Sequence, residues 1–122
     1  MSKRAVSLIA SLAIAALLLP LPSFAHSSLR RGRYECWLSA IAQYSNFDLK
    51  IRSGNRYAFT LDDEAVGSPG KFAHEGRKIR FTSGYLKRKG YVGQHFAYDD
   101  AYNTHVINLY KNGELVYDCN NN

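Results

Sequence analysis

Residues 105–119 read HVINLYKNGELVYDC, and this stretch decides the fold class. Asn112-Gly113 stands between two runs of strand-forming residues, His105–Lys111 and Glu114–Cys119. Both residues accept the positive φ of a type I′ turn, whose twist matches that of the strands it joins. The resulting hairpin sets Lys111 opposite Glu114, a favourable cross-strand pair. It also puts Leu115, Tyr117 and Cys119 on one face, so that Cys119 points inward.

The same period-two pattern recurs upstream. Gly32–Leu38 aligns Tyr34, Cys36 and Leu38. Phe47–Arg52 alternates strictly, with Phe47, Leu49 and Ile51 facing in and Asp48, Lys50 and Arg52 facing out. Ser53-Gly54-Asn55 turns the chain into Arg56–Leu61, which offers Tyr57, Phe59 and Leu61 to the core. Lys71–Glu75 and Lys78–Ser83 form a hairpin around Gly76, and Tyr91–Tyr98 is a further strand. Asp62–Pro69, the basic stretch Gly84–Gly90 and Asp99–Thr104 are read as loops, and Ser39–Ser45 as a helical turn. About eight short antiparallel strands predict an all-β fold, a small β-barrel, with a two-sheet sandwich as the alternative. Closure removes the exposed strand edges that would otherwise pair with other chains.

Residues 1–25 carry a different signal. Lys3 and Arg4 precede an apolar run from Ala5 to Leu19, followed by Pro20, Pro22 and the small residues Ser23 and Ala25. This predicts a secretory signal peptide cleaved after Ala25, and hence a periplasmic or secreted product, His26–Asn122. The run is shorter than the roughly 20 residues of a membrane span, and no second apolar run follows it, so no span is expected after cleavage. A flexible lead over 26–31, a barrel domain over 32–119 and a disordered tail over 120–122 complete the expected organisation. Cys36 and Cys119 are the two cysteines of the chain, and an oxidising compartment predicts a disulfide between them.

The chain carries 16 basic and 10 acidic residues; without Lys3 and Arg4 the net charge falls from +6 to +4. That balance favours acidic partners without identifying one. Lys87, Arg88 and Lys89 lie beside Tyr85 and Tyr91, a mixture that suits an acidic partner or single-stranded nucleic acid. Nucleic acid is not expected of an exported protein. Asp62-Asp63-Glu64 and Asp99-Asp100 offer oxygens without the spacing of a calcium loop. His74, His95 and His105 fall on three separate strands and would have to converge in a barrel to share a ligand. No G-x-S-x-G motif occurs, both cysteines belong to the disulfide, and Glu35 and Glu75 lie on separate strands. A non-catalytic protein with no cofactor and no metal is therefore expected.

Tyr34-x-Cys36 near the start and Tyr117-x-Cys119 near the end resemble the frame of the periplasmic inhibitors of C-type lysozyme. Those are compact β-barrels whose inhibitory loop carries a Ser-Gly-x-x-Tyr motif. Ser53, Gly54 and Tyr57 match its letters, and Ser83-Gly84-Tyr85 matches in part, with Lys87 where tyrosine would be expected. Tyr34–Cys36, Gly70–Phe72, Ile79–Gly84 and Cys119 are also similar to elements of small uncharacterised exported bacterial proteins. These resemblances imply a barrel. The Ser53–Tyr57 turn and the basic stretch with its aromatics are the expected contact surfaces, through Ser53, Gly54 and Tyr57 and through Ser83, Gly84, Tyr85, Lys87, Arg88, Lys89 and Tyr91. The expected function is a monomeric binding module that docks a protein or envelope component through its loops, as a hydrolase inhibitor or cell-envelope factor. The alternative is a lipocalin-like carrier of a small apolar ligand, which needs a hollow interior.

Overall fold

The structure, a computed structural model, describes residues 28–122. The proposed signal peptide and its cleavage site lie outside the described residues. Nine strands form one antiparallel sheet: β1 (Gly32–Leu38), β2 (Gln43–Arg52), β3 (Arg56–Leu61), β4 (Glu64–Ala65), β5 (Gly70–Glu75), β6 (Lys78–Phe81), β7 (Tyr91–Ala97), β8 (His105–Lys111) and β9 (Glu114–Asn121). Their order is β2-β1-β9-β8-β7-β6-β5-β3-β4, and β2 also pairs with β3. Eight strands thus close a barrel, and β4 is an extra strand on the outer end of β3. The seam between β3 and β5 is the shortest closure, with only Arg56↔Lys71 and Tyr57↔Gly70 in register.

The decisive hairpin forms as its sequence dictates. Asn112 and Gly113 both have positive φ, at 52° and 79°, and Lys111 pairs with Glu114. The register then shifts between Leu109 and Tyr110. Leu115 consequently pairs with Tyr110 and leaves the inward row of Tyr117 and Cys119. Strands β1 and β9 bring Cys36 directly opposite Cys119, and the two are disulfide-bonded. The bond joins the first and last strands of the barrel and fits an oxidising compartment. No helix among the described residues is long and apolar enough to cross a membrane.

Inward residues fill the barrel: Tyr34, Leu49, Ile51, Tyr57, Phe59, Phe72, Ile79, Phe81, Ile107 and Leu109 are buried in one cluster. Leu61, expected in that core, is exposed.

Local chemistry moves several other boundaries. The expected helical turn at 39–45 is a tight turn that leads directly into β2. Asn46 takes a positive φ of 66° there, and a bulge sits opposite Cys36 and Trp37. The Ser45 hydroxyl fixes that bulge by donating to the Cys36 carbonyl and accepting from the Phe47 amide. The basic stretch expected as a loop opens with a five-residue helix, α1 (Gly84–Arg88). The tail is shorter than expected, because Asn120 and Asn121 pair with Val106 and His105 at the end of β9. The lead is also anchored: Leu29 packs against the core, and the Arg30 carbonyl accepts a 2.6 Å hydrogen bond from Tyr34.

Candidate functional site

The two segments expected to contact a partner, 53–57 and 83–91, meet at Tyr57. This side chain is 1% exposed and stands edge-on to Phe81. Its hydroxyl donates to the Ser83 carbonyl at 2.7 Å and accepts the Leu86 amide at 2.9 Å. Helix α1 needs that acceptor. Ser83 occupies the N-cap position but makes no side-chain cap, because its hydroxyl accepts the Lys71 amide instead. The tyrosine thus satisfies a first-turn N–H that the preceding residue leaves unpaired.

Gly70 and Gly84 make the junction possible. A Cβ on Gly84, whose φ is 84°, would lie 2.7 Å from both the Gly70 Cα and the Tyr57 hydroxyl. Tyr57 and Gly84 therefore hold the site together, Tyr57 being buried and Gly84 partly buried.

What the junction does present is charge. A cleft of about 430 Å³ is lined by Ser28, Leu29, Arg31, Arg52, Asn55, His74 and neighbouring atoms of Ile51, Ser53, Gly54 and Phe72. A second, of about 260 Å³, is lined by Arg52, Arg56, Tyr57, Pro69, Gly70, Lys71 and Ser83. Arg52 belongs to both, so the clefts flank the Ser53–Asn55 turn. Arg31, Arg52, Arg56 and Lys71 are exposed, and neither lining contains a carboxylate. The turn places them locally: Gly54 and Asn55 have positive φ, which brings Arg52 and Arg56 opposite each other in the β2–β3 pair. The Arg56 Nε donates to the Ser53 carbonyl and holds that side chain over the turn. Of the expected contacts, Ser53, Gly54, Tyr57 and Ser83 line these clefts.

The remaining expected residues divide between two roles. Tyr85 and Tyr91 are half-buried in an aromatic cluster at one end of the barrel. Tyr85 stacks on Phe59, and Tyr91 packs against Tyr117. Burial pushes the Tyr117 hydroxyl up to about 12 and raises that of Tyr91, so both stay protonated at neutral pH. Lys87, Arg88 and Lys89 are exposed on and just after α1. Arg88 donates to the Ser68 hydroxyl, and Lys89 lies over the Tyr85 ring.

The acidic runs serve the fold. Asp100 accepts from the amides of Tyr102 and Thr104 and from the Thr104 hydroxyl, which holds its carboxyl below the usual carboxylate range. Glu35 and Glu75 lie on β1 and β5, which are not neighbours, and Glu75 is bonded to Arg80. His74, His95 and His105 do converge. Their successive ring centroids are 5.2 and 5.1 Å apart. Among the described residues no three His, Cys, Asp or Glu side chains are disposed to hold a metal ion.

The β1–β2 tip carries an exposed aromatic pair that strand alternation does not single out. Trp37, at 41% exposure, packs against Tyr44 beside the exposed Ile41 at the β1–β2 tip. An aromatic on the outward row of β1 was the clue available.

No protein-family model, curated protein or solved structure matches the chain.

Proposed function

We propose that this protein is an exported, non-catalytic binding module that docks an acidic macromolecular partner across the two clefts beside Arg52. One observation carries the reading: four exposed cations, Arg31, Arg52, Arg56 and Lys71, share a concave surface without a carboxylate in its lining. Such a surface attracts anionic groups, and the guanidinium fork pairs with carboxylates in a fixed geometry. The basic residues Lys87 and Arg88 extend the field from the end of the second cleft, where Ser83 leads into α1. Inhibition of a hydrolase or service to the cell envelope are both compatible with this surface. The filled barrel supports docking at the outside over carriage of an apolar cargo within.

Calorimetric titration with poly-L-glutamate, an acidic macromolecular probe, tests the face. The double variant Arg52→Glu with Arg56→Glu should weaken binding by about tenfold or more. Lys78→Glu with Arg80→Glu, an equal charge change on β6, should have a much smaller effect. Equal losses in the two variants would reduce the interaction to net charge and overturn the assignment. Native mass spectrometry of protein purified gently from its own compartment would then identify the natural partner.

A further inference from the structure

One end of the barrel is lined by histidine. His74 of β5, His95 of β7 and His105 of β8 form a contiguous layer, His95 being 4% exposed between the other two. His95 Nε2 lies 2.9 Å from His105 Nδ1, a buried hydrogen bond. His74 Nε2 is closed off from solvent and has no hydrogen-bond partner.

The lead Ser28–Arg31 closes this end without joining any strand. Leu29 packs on the core and, with Ser28, shares a cleft lining with His74. The Arg30 carbonyl accepts from Tyr34, and Arg30 Nη1 donates to Asn121 at 3.3 Å. Asn121 in turn pairs directly with His105.

The groups facing the layer are all neutral or cationic. From β1 comes the Tyr34 hydroxyl, from β5 His74, from β8 His105 and from the lead the Arg30 guanidinium. The wall of the adjoining cleft adds Arg31 and Arg52. Strand β6 contributes apolar Ile79, and β9 the uncharged Asn121. No carboxylate among the described residues offsets a charge placed there. We propose that the histidine layer is an acid-sensitive latch whose protonation releases the lead Ser28–Arg31 while the barrel stays closed.

The hydrogen bond between the rings explains why the layer is two-state. It holds while one of the two facing nitrogens carries a proton and the other is bare. A first added proton can go to the outer nitrogen of the donor ring. The second must land on the acceptor nitrogen and breaks the bond, leaving two cations face to face in a desolvated site beside Arg30. Desolvation and the neighbouring His74 already lower the His95 pKa to about 4, and His105 is lowered by desolvation and Arg30. The lead gives way first. Two hydrogen bonds and one apolar contact hold it, whereas the strands beneath are paired on both sides and stapled by Cys36–Cys119. Release would carry Arg31 away from the first cleft, so the latch would also regulate the proposed docking face. It does not depend on that face, and its test reads the lead directly.

The test is an NMR titration of the protein from about pH 7.5 to about pH 4, the span over which histidines change charge. It follows the amides of Leu29, Arg30 and Arg31 against those of Leu49 and Ile107. The lead amides should lose exchange protection and move to unstructured positions while the core amides stay dispersed. His95→Phe, which cannot be protonated, should move the lead transition by about 1 pH unit or more to lower pH. His74→Phe removes a neighbour whose charge lowers His95, so it should move the transition the other way, to higher pH. Loss of lead and core in a single step would mean ordinary acid unfolding and overturn the latch. So would lead amides unchanged at pH 4, or a midpoint unmoved in both variants.

Discussion

Removing one oxygen at Tyr57 should cost the fold about 2–4 kcal/mol. Tyr57→Phe keeps the ring, its edge contact with Phe81 and almost all of its volume, so packing is held nearly constant. What disappears is the hydroxyl that bridges the Ser83 carbonyl and the Leu86 amide. Leu86 is fully buried, so water cannot readily reach its N–H. Leaving that donor unpaired costs about 1–3 kcal/mol, and the lost bond to Ser83 adds about 0.5–1.5 kcal/mol. Ser83 is itself exposed, which keeps the second figure small. For a domain of this size each kcal/mol corresponds to about 4–8 °C in Tm, so a fall of about 10–30 °C is expected. Urea unfolding of both proteins at pH 7, with equal slopes, gives the energy. Amide exchange at Leu86 locates it, since the helix turn should open well before the barrel. A loss under about 0.5 kcal/mol, or unchanged protection at Leu86, would refute the tyrosine as the cap of α1.

Replacing Cys36 and Cys119 together by alanine should lower stability by about 4–5 kcal/mol, because the bond closes a loop with a sequence separation of 83; differential scanning calorimetry checks this, and an unchanged melt would show that strand pairing alone closes the barrel. Asp118→Asn should raise stability by about 1 kcal/mol. Burial raises the Asp118 pKa, its Oδ1 has no partner, and the equally unpartnered Asn108 Oδ1 lies on the strand position directly opposite. An asparagine amide can donate there, and a lower urea midpoint in the variant would refute that account. Stability should fall in acid. His95 is lowered from 6.5 to about 4, so the unfolded chain takes up the proton first. The contribution of neutral His95 is complete above about pH 6.5 and is lost as the pH falls from there through about 4. A shift of this size corresponds to about 3 kcal/mol. Urea midpoints across that window should drop, and His95→Phe should flatten the drop.

Much of the scaffold was legible because strand signals are local. Gly32–Leu38, Arg56–Leu61 and His105–Lys111 have the boundaries their alternation predicts. Errors fall where a side chain or a bulge breaks the period. The Ser45 hydroxyl converts an expected helical turn into a bulge leading into β2. The shift at Leu109/Tyr110 turns Leu115 out of the row assigned to it. Helix α1 is weakly marked in the sequence because the acceptor for its first-turn amide comes from Tyr57, on a strand 29 residues before that amide. Ser83 at the N-cap position is the local cue, and its hydroxyl is taken by the Lys71 amide.

By itself the sequence determined the strand content, the type I′ turn at Asn112-Gly113 and the only cysteine pair available for a disulfide. These depend on φ preferences, period-two burial and residue identity, all of which act over a few positions. The tertiary structure alone decided which residues share a layer. Closing eight strands stacks inward positions from β5, β7 and β8 into one histidine layer. It also gathers Arg31, Arg52, Arg56 and Lys71 around a single turn. Alternation tells a side chain which face of its strand to occupy. Register and closure around the barrel determine its neighbours there, and those are properties of the whole sheet.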